Sequence, residues 1–102
     1  MEQVAQKLKA RKEFDFVICA YLEITAPSIQ RAIEVCVRRD IRKIYVLPYF
    51  LLTGFHTQVD IPQIVSLARK KHPGKTKIIL CPYLGYHDKI VSVVRQRLRE
   101  GR

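Results

Sequence analysis

The sequence predicts an α/β domain in which a parallel sheet carries helices on its faces. Short apolar runs of strand length alternate with stretches whose apolar residues recur at helical spacing, and Pro or Gly punctuates several of the short connections between them. Short connections between alternating strands and helices leave a parallel sheet as the economical topology. With 102 residues the chain forms one domain over its whole length, residues 1–102.

The first helix runs from Glu2 to Lys12, a short amphipathic stretch in which Lys7, Lys9, Arg11 and Lys12 interrupt Val4, Ala5 and Leu8. A first strand follows from Phe14 to Ala20. The second helix spans Pro27 to Arg39 and buries Ile29, Ala32, Ile33 and Cys36. From Arg42 to Leu47 the run Ile44-Tyr45-Val46-Leu47 has the length and branching of a fully buried strand, and Pro48 ends its ladder. Gly54 frees the backbone before His56, and Asp60 and Pro62 read as the cap and first turn of the next helix. That helix, Ile61 to Lys71, buries Ile64, Val65, Leu67 and Ala68 and is stopped by Pro73-Gly74. A strand from Thr76 to Cys81 and a last helix from Asp88 to Arg99, with Ile90, Val91, Val94 and Leu98 on its apolar face, complete the pattern.

Composition narrows the function classes. No apolar run reaches the 18 or so residues needed to cross a bilayer, and no signal peptide is visible, so a cytoplasmic location and no membrane partner are expected. Cys19, Cys36 and Cys81 are far apart and form no Cys-x-x-Cys pair, which reads as reduced core thiols. Nineteen Lys and Arg against nine Asp and Glu give a net charge of +10, which favours a polyanionic partner: nucleic acid, an anionic surface or a small polycarboxylate. No helix-turn-helix, zinc-finger or RNA-recognition pattern is present and the charge is spread over several helices, so nucleic acid is not the expected partner.

In a parallel sheet all strand exits lie at the carboxyl edge, where open α/β folds place their chemistry. The exits here are Tyr21-Leu22-Glu23, Pro48-Tyr49-Phe50 with Gly54-Phe55-His56, and Pro82-Tyr83-Leu84-Gly85-Tyr86-His87. Glu23, His56 and His87 are thereby expected near one rim lined by Tyr21, Tyr49, Phe50, Phe55, Tyr83 and Tyr86. Such a rim suits a flat, apolar, acid-decorated ligand. Each residue also has an ordinary structural reading: His56 and His87 as caps of the helices that follow them, Glu23 as a solvated residue, Tyr45 as core, His72 as a cation at a helix C-terminus, and Arg95, Arg97, Arg99 and Arg102 as a solvated face.

At these residues the chain resembles the small class II chelatases, the CbiX-type sirohydrochlorin cobaltochelatase and ferrochelatase family. The similarity runs from about Phe14 to Leu98. It includes Ala20-Tyr21-Leu22-Glu23 with Pro27-Ser28-Ile29, the segment Val46 to Leu52, Gly54-x-His56-x-x-x-Asp60-Ile61-Pro62, His72-Pro73-Gly74 and Pro82-Tyr83-Leu84-Gly85. The resemblance implies insertion of Co²⁺ or Fe²⁺ into sirohydrochlorin, a tetrapyrrole bearing eight carboxylates, in cobalamin or siroheme biosynthesis. It implies a chelatase-like half lobe that works as a homodimer, with the metal as substrate and no organic cofactor. His56 matches the family's metal-handling histidine and Glu23 an acidic position that assists metal delivery or proton removal. Tyr21, Tyr49, Phe50, Leu51, Leu52, Gly54 and Phe55 are then the residues expected against the macrocycle. Family members begin with a strand ending in His-Gly-Ser, and these 102 residues contain neither. The expectation is therefore a fragment or alternative start of a longer protein, or a sheet completed in another way. The alternative function is a non-catalytic module that binds metal or tetrapyrrole.

Overall fold

A computed structural model describes residues 1–22, 24–52, 54 and 56–101, with the backbone alone at His56 and Thr57. Helix α1 is Glu2–Ala10, α2 Ile29–Arg38, strand β1 Lys43–Val46, α3 Ile61–Lys71, β2 Lys77–Leu80 and α4 Asp88–Glu100; a π-helical turn, His56–Asp60, leads directly into α3. The strands pair in parallel with Ile44 opposite Ile78 and Val46 opposite Leu80. A parallel sheet with flanking helices is therefore the architecture, as the alternating pattern requires.

The core forms on one side of this sheet. Ile44 and Ile78, paired across the ladder, meet Ile33 and Cys36 of α2 and Ile61, Val65 and Ala68 of α3. Strand side chains alternate in direction, so Tyr45 points away from that core and is 51% exposed. The expectation of a fully buried β1, and of Tyr45 as core, is thus corrected: only one face of the strand is covered. On α3 the buried set includes Ile61, while Leu67 is exposed.

The run from Phe14 to Ala20 does not form a strand. It joins no ladder among the described residues, and a strand exists only through a partner for its N–H and C=O groups. Side chains hold it instead. Phe16 packs on the core with the Arg39 guanidinium 4.5 Å above its ring, and Phe14 meets Tyr45 edge-on with centroids 6.2 Å apart. Only at its end does pairing appear, where Tyr21 N–H donates to the Pro27 carbonyl at 2.9 Å and Tyr21 bridges to Ser28.

Helix α4 is the third correction, since it buries none of its residues and Leu98 is 67% exposed. Geometry supplies the reason. Two strands span roughly 10 Å across, about the diameter of one helix. The covered face is already occupied by α2 and α3, and no residue of α4 is buried against the open face either.

The helix ends are well determined by local chemistry. Ser28, not Pro27, opens α2, its side chain accepting the Arg31 N–H at 3.1 Å. At the far end Ile41 N–H reaches the Cys36 carbonyl and Asp40 N–H the Val37 carbonyl, with Asp40 at φ +60°: a Schellman closure in which aspartate takes the left-handed place usually given to glycine. Asp60 is not a cap in the ordinary sense. It already has helical φ and ψ because the π-helical turn precedes it, and Pro62 sits in the first turn of α3. Gly74, at φ +117°, follows the end of α3 as expected.

Candidate functional site at the carboxyl edge of the sheet

Beyond the ends of β1 and β2 the two exit loops are joined to each other. Cys81 N–H donates to the Val46 carbonyl at 2.8 Å, Leu84 N–H to Pro48 at 3.0 Å and Gly85 N–H to Phe50 at 2.9 Å. The parallel pairing is thus carried past the strands into both loops. Gly85 is buried at φ +57°, and a Cβ there would meet the Tyr83 ring at 3.0 Å, so the turn requires glycine.

Around this junction Phe50 packs back onto the core, while Tyr49, Leu51 and Leu52 are exposed, Leu52 at 83%. From the other loop Leu84 and Tyr86 are exposed as well. Gly54 lies in the open, with nothing within 4 Å of where a Cβ would stand, and its carbonyl accepts Gln58 N–H at 2.9 Å to start the turn that carries His56. The His56 backbone opens the π-helical turn at the head of α3. Glu23 and Phe55, both expected at this rim, lie outside the described residues.

Tyr21 is tied to α1 and to the start of α2. Its hydroxyl donates to Glu2 Oε2 of α1 at 3.1 Å, and that carboxylate raises the phenol above its ordinary value. It lines a hollow of about 430 Å³ with Leu22, Thr25, Pro27, Ser28 and Arg31. His87 takes the capping role: its Nδ1 accepts the Lys89 N–H at 3.1 Å at the start of α4. His72 closes α3 and lines a second hollow of about 470 Å³ with Asp40, Arg42, Lys71 and Lys75, at the amino ends of the strands. No cluster of three or more His, Cys, Asp or Glu suited to a metal occurs among the described residues. Cys36 is buried and Cys19 and Cys81 half-buried, all as free thiols.

Sequence reasoning missed the backbone junction between the loops and the Arg69 contact with β2. The Arg69 guanidinium donates from Nε and Nη2 to the Ile78 carbonyl at 3.1 and 2.9 Å. Only the glycine after Tyr83-Leu84 hinted at the first; the second had no signal beyond a cation near a helix end.

Comparisons with known proteins agree with the fold. The family model described as CbiX matches residues 1–101. The chain is 33% identical to a sirohydrochlorin cobaltochelatase of Methanocaldococcus jannaschii, covering 93% of this chain and 82% of that protein. It is 26% identical to a sirohydrochlorin cobaltochelatase of Priestia megaterium over 97% of this chain, but spans only 32% of that longer protein. Among solved structures, the sirohydrochlorin chelatase SirB of Bacillus subtilis subspecies spizizenii in complex with cobalt superimposes with a TM-score of 0.87 at 26% identity, over 97% of this chain and 42% of that one. A putative cobalamin biosynthesis CbiX protein of Marinobacter aquaeolei shares the fold with a TM-score of 0.78 at 21% identity, over 98% of this chain and 80% of that one. A family match over nearly the whole chain, a relative matched along most of both lengths and a shared fold identify the chain as a member of the CbiX family.

Proposed function

We propose that the chain inserts a divalent metal, Co²⁺ or Fe²⁺, into sirohydrochlorin at the carboxyl edge of its sheet, working as a homodimer in cobalamin or siroheme biosynthesis. The observation that carries the reading is the joined pair of exit loops. In a chain of this family, they hold exposed apolar side chains at the same sheet edge from which the His56 turn departs.

Metal insertion replaces two pyrrole N–H protons by one M²⁺, so two protons leave for each metal that enters. The site needs a donor that binds the ion loosely enough to release it and a base for the protons. Imidazole meets the first need as a neutral nitrogen ligand for first-row ions and can also accept a proton near neutrality. His56 is assigned metal delivery, and Glu23 the carboxylate that assists delivery or takes a proton. Tyr49, Phe50, Leu51, Leu52, Gly54 and Phe55, with Tyr21, are assigned to the macrocycle. The charge of +10 draws a polycarboxylate toward the protein.

The test follows the visible spectrum of sirohydrochlorin with Co²⁺ or Fe²⁺. Wild-type protein should accelerate insertion over buffer, and His56→Ala should lose about a hundredfold of that rate. A wild-type rate equal to buffer sinks the proposal. Saturable tetrapyrrole binding without insertion would favour a binding module.

A further inference from the structure

We infer that Tyr86, together with Leu84, is a second wall of the macrocycle site, a positioning surface for the flat face of a polycarboxylate tetrapyrrole. The inference rests on the chelatase reading above and adds to it a surface from the β2 exit.

Ring placement begins with the backbone. Gly85 N–H is bonded to the Phe50 carbonyl and Leu84 N–H to that of Pro48, so the segment 84–86 is fixed against the same loop that exposes Tyr49, Leu51 and Leu52. Tyr83 turns inward and is half-buried, filling the space beside the Gly85 backbone. Leu84 and Tyr86, on either side of Gly85, are both left exposed.

Tyr86 is 77% exposed, and its ring is tethered at the hydroxyl. The hydroxyl donates to Asp88 Oδ1 at 2.8 Å in the first turn of α4, whose start is set in turn by the His87 cap. An aromatic ring held by its polar tip while its faces remain in water gains little from folding. The tether to Asp88 narrows its rotamer freedom before a ligand arrives, which lowers the entropic cost of stacking a planar partner. The hydrogen bond to Asp88 also raises the Tyr86 phenol above its ordinary value.

The chain contains no tryptophan, so Tyr86→Trp provides a single reporter. Its fluorescence should be quenched saturably as sirohydrochlorin is added. In absorbance titrations without metal, Tyr86→Ala should weaken sirohydrochlorin binding about tenfold, as loss of one stacked ring does. Tyr86→Phe, which keeps the ring, should stay within about threefold of wild type, and Tyr45→Ala, an exposed ring on the sheet, should bind as wild type. In turnover the Tyr86→Ala defect should fall on KM and spare kcat, with the unfolding midpoint unchanged. Wild-type binding that Tyr86→Ala leaves intact, or an unquenched Tyr86→Trp, overturns this inference alone. Absence of any sirohydrochlorin binding by wild type overturns it together with the chelatase reading.

Discussion

Cys36 shows how a single side chain couples the core to solution conditions. It is buried between α2 and the sheet, and burial raises its thiol above the ordinary value of 9.0. The folded chain therefore keeps this proton to higher pH than the unfolded chain does. The stabilising contribution is whole below pH 9.0 and is lost as pH rises beyond it, because unfolding then releases a proton. Between pH 8 and 10 the unfolding midpoint of wild type should fall more steeply than that of Cys36→Ala; parallel slopes would show that Cys36 plays no part. At this scale the sequence was informative. Ala32, Ile33, Cys36, Val65 and Ala68 are buried as their spacing requires, because helical periodicity records which residues share a face.

Among the elements, β2 depends on a contact that periodicity does not record. Ile78 turns its carbonyl away from β1, and the two hydrogen bonds from Arg69 of α3 satisfy it. Arg69→Met should lower stability by about 1–2 kcal/mol in urea denaturation, with Arg69→Lys recovering part of the loss, since an ammonium can reach the carbonyl but not with a planar fork. An unchanged midpoint would show that water replaces the guanidinium at no cost. The helices and both paired strands were legible because caps, breakers and apolar spacing are local. The run from Phe14 to Ala20 was misread because its composition fits a strand while strand formation depends on a neighbour. The apolar face of α4 was misread for a related reason: amphipathicity states that a face wants cover, not that cover is within reach.

The whole molecule carries a charge of +10 with its basic groups distributed over α1, α2, α3 and α4. A field of that kind acts mainly on encounter. If sirohydrochlorin is the substrate, its association rate should fall about tenfold between low and high salt while dissociation changes little. Stopped-flow measurements would separate the two, and a salt-independent association rate would show that charge plays no part in capture. Much of the candidate site was readable from the order of motifs along the chain, which names the exits and the His56 turn. The junction between the exits was not, because it is made by backbone groups of Pro48, Phe50, Leu84 and Gly85, and backbone groups leave little trace in sequence.

That junction also acts as a check on assembly. Leu84 and Gly85 are counted from the end of β2, and Pro48 and Phe50 from the end of β1, so both hydrogen bonds form only when Val46 lies opposite Leu80. A slip of one residue would turn Ile78 out of the core and at the same time break both loop bonds. The rim at the carboxyl edge thus closes only on a correctly paired sheet.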